Sequence, residues 1–184
     1  MAYQNLFRGT LISTFAALLI FFVLLYLVFN GISSVTNLIP LSLMYILFIL
    51  AIWAYIEYRK LPMPHKRIFN LAIPSGLAIV FAGLILLSLN RFEGAYLIVI
   101  GYLSEPIGGI APFSYYMMFD RKLGAFTYTL GAIYVLALPL FIINLGLISL
   151  VADGLKLIGF VQLYRVVSNS KFDIEGLRIK TQNR

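Results

Sequence analysis

The sequence predicts an all-α polytopic membrane helix bundle with six transmembrane helices, and three observations lead there. Of the 184 residues, 61% are hydrophobic and 11% are charged, whereas soluble domains are about half apolar and about a quarter charged. A water-soluble fold of this length could not cover so much apolar surface. The apolar residues also fall into runs of about 20, enough to cross a hydrocarbon core of about 30 Å. Finally, Lys and Arg gather in alternate connectors, as the positive-inside rule requires of a retained cytoplasmic side. The net charge of +7 is read the same way, as basic cytoplasmic loops, and no nucleic-acid partner is expected.

The chain reads as a single transmembrane domain over 1–184. The first span is the uncharged run Leu11–Phe29. It exceeds the 7–15 apolar residues of a signal peptide and is followed by the turn signal Asn30-Gly31 rather than a small-residue cleavage site, so it reads as a retained helix. Leu38–Tyr58 is the second span, with Pro40 in its first turn and Trp53, Tyr55 and Tyr58 near its far end, where interfacial aromatics gather. The basic, proline-containing loop after it holds Arg59, Lys60, His65, Lys66 and Arg67. Ile68–Leu89 is the third span. Gly76 and Gly83 lie one heptad apart in it, and Ser75, Ala78 and Ala82 form a small-residue stripe of the kind that lets helices approach in lipid.

Ala95–Met118 is the fourth span, and it is flawed. Gly101-Tyr-Leu-Ser-Glu-Pro-Ile-Gly-Gly-Ile-Ala-Pro112 places a carboxylate, two prolines and a glycine pair inside a crossing. Pro106 disfavours helical geometry at Glu105 and removes an N–H, so a kink or break is expected at Glu105-Pro106. From Leu123 to Val167 the chain is mostly apolar for about 45 residues, or two crossings. The turn between them is expected at Asn144-Leu145-Gly146, giving spans Leu123–Ile143 and Leu147–Val167. Residues 168–184 read as a cytoplasmic tail. Six spans put Arg8, the Arg59–Arg67 cluster, Arg121, Lys122 and the tail on one side and only Arg91 on the other, which places both termini in the cytoplasm of a cell-membrane protein. A five-span threading is the runner-up.

Three charged residues fall well inside predicted spans: Glu105, Asp153 and Lys156. An intramembrane charge costs at least about 2.5 kcal/mol on insertion scales, so each needs a partner or a water-filled cavity. Glu105 and Lys156 each lie about ten residues into their spans, about 15 Å of helical rise, and so share a depth near the midplane. Asp153 stands three residues before Lys156 on the same face, together with Ser149. The candidate polar intramembrane site is therefore Glu105, Asp153, Lys156 and Ser149, with backbone groups freed around Gly108 and Gly109. Losing Asp153 is expected to cost more than losing Lys156, because it strands a buried cation. Tyr115, Tyr116 and Phe119 read as an interfacial belt, and Thr127, Tyr128 and Thr129 as hydrogen-bonding between helices.

No catalytic residue is expected. The chain lacks a Gly-x-Ser-x-Gly elbow, a His-Glu-x-x-His pair and a Gly-x-x-x-x-Gly-Lys loop. It has no cysteine and a single histidine, His65, so no metal site and no cofactor are expected.

Gly154-Leu-Lys-Leu-Ile-Gly-Phe-Val-Gln-Leu-Tyr-Arg-Val-Val and the residues on through Gly176 resemble the last helix of uncharacterised archaeal multi-span membrane proteins. The resemblance is confined to that stretch and carries over no functional residue. The span number is similar to that of vitamin-transporter substrate-binding subunits, but Leu11–Phe29 lacks their Ala-x-x-x-Ala spacing. The first functional expectation is thus a structural or accessory subunit, in contact with lipid and packed against other membrane subunits or itself. The alternative is a small transporter or channel for an ion or polar solute. A cavity reaching Glu105 would separate the two.

Overall fold

The computed structural model describes the backbone of residues 2–143 and 145–182, and side chains over 3–143 and 145–169. The helices are α1 (Ala2–Asn30), α2 (Leu38–Arg59), α3 (Lys66–Ser88), α4 (Glu93–Tyr102), α5 (Ser104–Tyr116), α6 (Arg121–Ala137) and α7 (Leu147–Gln182), with short 3-10 helices at Ile32–Thr36 and Leu138–Ile143. With α4 and α5 taken as one crossing, six segments are long and apolar enough to span a membrane. The chain is a multi-pass, all-helical integral membrane bundle.

Local chemistry sets the ends of these helices. Asp120 caps α6, its Oδ1 accepting from the Leu123 N–H at 2.9 Å. Pro139 cannot donate to a carbonyl one turn back, and the fifth crossing tightens into a 3-10 helix from Leu138. The turn into α7 uses Leu145 and Gly146 as expected; Asn144 lies outside the described residues. At the N-terminus, α1 begins nine residues before the apolar run, because its first turns have something to pack on. Leu6 and Thr10 are fully buried, Phe7 stacks on Tyr164 of α7 with ring centroids 5.1 Å apart, and the Tyr3 hydroxyl donates to the Val167 carbonyl. At the other end of the chain, α7 runs helically through Gln182 rather than stopping near 167.

The fourth crossing is broken, but its joint is Leu103, two residues before Glu105. The reason is where a proline is tolerated. Pro106 becomes the third residue of α5, in a first turn whose N–H groups have no intrahelical partner. It offers no N–H to the Tyr102 carbonyl, and α4 ends there.

Neighbour packing closes a ring: α1 on α2, α2 on α3, α3 on both α4 and α5, α5 on α6, α6 on α7, and α7 back on α1. The tightest seam is α3 against α4. A Cβ at Gly83 would meet the Gly94 carbonyl oxygen at 2.7 Å, and a Cβ at Gly101 the Gly76 oxygen at 2.8 Å. The heptad glycines of α3 thus face heptad glycines on an antiparallel neighbour. Ser75, Ala78 and Ala82, which the sequence placed in a packing stripe, are exposed on the outer face of α3.

Candidate functional site

Within the ring lies a partly open cavity of about 200 Å³. Its walls come from α1, α2, α3, α5 and α7, with Ile98, Gly101 and Tyr102 from α4. Among the described residues, Glu105 and Lys156 are the only charged ones that line it.

Lys156 lines the cavity. Its Nζ is 2.8 Å from Asp153 Oδ1, 3.6 Å from Glu105 Oε1 and 3.8 Å from the centre of the Tyr134 ring. Its stem passes Gly131 of α6, where a Cβ would come within 3.4 Å of Lys156 Cδ. The helical spacing of Asp153 and Lys156 makes their pair local to α7; Glu105, in the first turn of α5, completes the group. The three differ sharply in access. The Asp153 and Lys156 side chains are 0% and 2% exposed, whereas that of Glu105 is 39% exposed and lines the cavity. Asp153 Oδ2 is buried and makes no hydrogen bond. Two carboxylates therefore share one ammonium in a low-dielectric setting, with an open approach to one of the two.

The other expected site residues divide. Ser149 is buried on the same face of α7, but its hydroxyl donates to the Tyr134 carbonyl at 2.9 Å and so joins α7 to α6 instead of the ion group. Gly109 lines the cavity, whereas Gly108 lies against Ile73 of α3 and serves packing. The carbonyl of Pro106 accepts from Tyr128 of α6 at 3.0 Å, an expected interhelical bond. Thr127, by contrast, donates within its own helix to the Leu123 carbonyl at 2.9 Å.

Sequence reasoning misses the opposite end of the cavity. There Ser13 and Tyr58 hydroxyls lie 3.0 Å apart, Tyr58 and Tyr116 2.7 Å, and Tyr116 and Thr10 2.6 Å, while Thr10 donates to the Leu6 carbonyl at 2.7 Å. The positions of Tyr58 and Tyr116 near span ends suggest interfacial belts. Both are buried in this chain of hydroxyls instead. A polar stripe of Thr10, Ser13 and Thr14 in an otherwise apolar α1 is the signal that could have found it. Glu57 is a further buried carboxylate, held by Lys60 at 3.1 Å on its own helix.

A second, smaller cavity of about 80 Å³ lies toward the Asn30–Asn37 end of the bundle, lined by apolar residues such as Leu27, Val35 and Phe141. Tyr102 lines both cavities, and its ring meets Tyr134 edge-on with centroids 6.2 Å apart. The ion group therefore stands beside an aromatic pair where two cavities stacked along the bundle meet. Comparison with known protein families, with curated proteins and with solved structures finds no match for this chain.

Proposed function

We propose that this integral membrane protein is a small transporter of a polar solute, with its solute site at the midplane beside Glu105. One observation carries the reading: the cavity inside the ring extends to a charged group that lipid alone could not tolerate. A purely structural ion pair needs no approach, and a subunit that only packs against partners is served best by a filled core. A broken crossing beside the site also fits, because discontinuous helices place free backbone groups and ionisable side chains at substrate depth. The aromatic pair between the cavities suits a carrier better than a continuous pore.

The accessory-subunit reading keeps one observation in its favour, the exposed small-residue face of Ser75, Ala78 and Ala82 on α3. A single experiment separates the two. The chain has no cysteine, so single cysteines can be placed at Ser13 and Ser104, which line the cavity, and at Ile100 on the lipid face. A charged, membrane-impermeant methanethiosulfonate reagent should label the first two and spare the third. Failure to label either cavity position means a dry core and favours the accessory subunit.

A further inference from the structure

We propose that Glu105 is an exchange site with two mutually exclusive occupants, a proton and a monovalent organic cation. The inference rests on the transport reading and names its substrate class and coupling.

The charge count comes first. Lys156 contributes one positive charge and is held closest by Asp153, at 2.8 Å, with Glu105 at 3.6 Å and the Tyr134 ring centre at 3.8 Å. With both carboxylates ionised the group carries a net charge of −1 in apolar surroundings. Among the described residues, nothing else facing it supplies a compensating cation: α6 presents Tyr134, α4 presents Tyr102, α5 adds Ser104 and Tyr116, and the walls from α1, α2 and α3 present Ser13, Tyr55, Tyr58 and apolar side chains. An uncompensated charge in low dielectric is strongly disfavoured, so the group must take up a positive charge. Access decides where. Asp153 is closed off and Glu105 is open, so the exchange takes place at Glu105.

The walls select the kind of cation. A Ca²⁺ or Mg²⁺ ion takes about six or more oxygen ligands, whereas beside the Glu105 carboxylate the lining offers the Ser104 and Tyr102 hydroxyls. The cavity is lined instead by Phe48, Tyr55, Phe69, Tyr102, Phe113 and Phe160. Aromatic faces attract weakly hydrated organic cations such as substituted ammoniums, most strongly away from water. When such a cation enters, the Glu105 proton leaves to cavity water; when the cation departs, a proton returns. No bond is made or broken other than the carboxyl O–H.

The test uses the full-length purified protein in detergent and benzyltrimethylammonium as probe. Calorimetric titration in buffers of different ionisation enthalpy should show about one proton released per cation bound, with Kd rising about tenfold per pH unit below the Glu105 titration. Infrared difference spectra of wild type against Glu105→Gln should show a protonated carboxyl in the empty protein that disappears when the probe is added. Glu105→Gln, which mimics the protonated state, should stay folded and lose probe binding. Binding without proton release overturns the exchange and leaves the transport reading standing. Absence of binding overturns the substrate class, and the cysteine labelling of Ser13 then reports separately whether the cavity reading also falls. No Glu105 carboxyl band in the empty protein overturns the proposal directly.

Discussion

Lys156 shows what an unfavourable residue can reveal. Its burial was legible in the sequence because a lysine at that depth must be answered by carboxylates, and only Asp153 and Glu105 were at hand. The number of partners each member has was not legible, and it argues for the opposite order of damage. Lys156 has Asp153, Glu105 and the Tyr134 ring, while Asp153 relies on Lys156 for its ion pair. Lys156→Met leaves a fully buried carboxylate without a counterion and should destabilise the protein by about 3–5 kcal/mol, measured by reversible unfolding in mixed detergent micelles. Asp153→Asn should cost clearly less, because Glu105 still answers the ammonium. The double variant Asp153→Asn, Lys156→Met should recover much of what Lys156→Met loses. If Asp153→Asn is the more damaging single change, Glu105 does not support Lys156 as its position implies.

The element that organises the site is the broken crossing. Its two halves do different work: α4 is clamped to α3 by facing glycines, and α5 delivers Glu105 to the cavity. The heptad of Gly76 and Gly83 could be read along one helix, and so could the disruption by Pro106. That Gly94 and Gly101 form the answering heptad could not, because periodicity tells which face of a helix is special and not which helix lies against it. Gly94→Ala puts a methyl group into the backbone of α3, near the Leu87 nitrogen at 2.8 Å. Overpacking of this kind should cost about 1–3 kcal/mol. It should also displace α4, so Ser104→Cys labelling in this background should change in rate. An unchanged melting temperature in detergent would mean that the α3–α4 seam yields more easily than its spacing implies.

At the scale of the whole molecule, six crossings joined by short connectors close into a ring in chain order. Span number was legible from the length of the apolar runs; the ring, its central cavity and the hydroxyl chain were not, since each depends on which spans become neighbours. The orientation of the ring can be checked. Arg59, Lys60, Lys66, Arg67, Arg121 and Lys122 flank the end where the hydroxyls lie, and Arg91 stands at the other. If the positive-inside rule holds for this chain, the larger cavity faces the cytoplasm. Epitope tags at either terminus should be protected from impermeant protease in intact cells and digested after lysis. Digestion of the C-terminal tag in intact cells would support the five-span threading.

The row of hydroxyls has a direction. Each hydroxyl owns one hydrogen, and Thr10 gives its own to the Leu6 carbonyl. Tyr116 must then point its hydrogen at Thr10, Tyr58 at Tyr116, and Ser13 at Tyr58. Four O–H dipoles line up head to tail, away from the cavity, and the free end at Ser13 offers lone pairs only. On the transport reading, hydrogen-bond parity would sort solutes before they reach the carboxylate. A molecule rich in N–H or O–H finds acceptors waiting at both ends of the cavity, and an anion finds no donor at the hydroxyl end unless the whole row turns over.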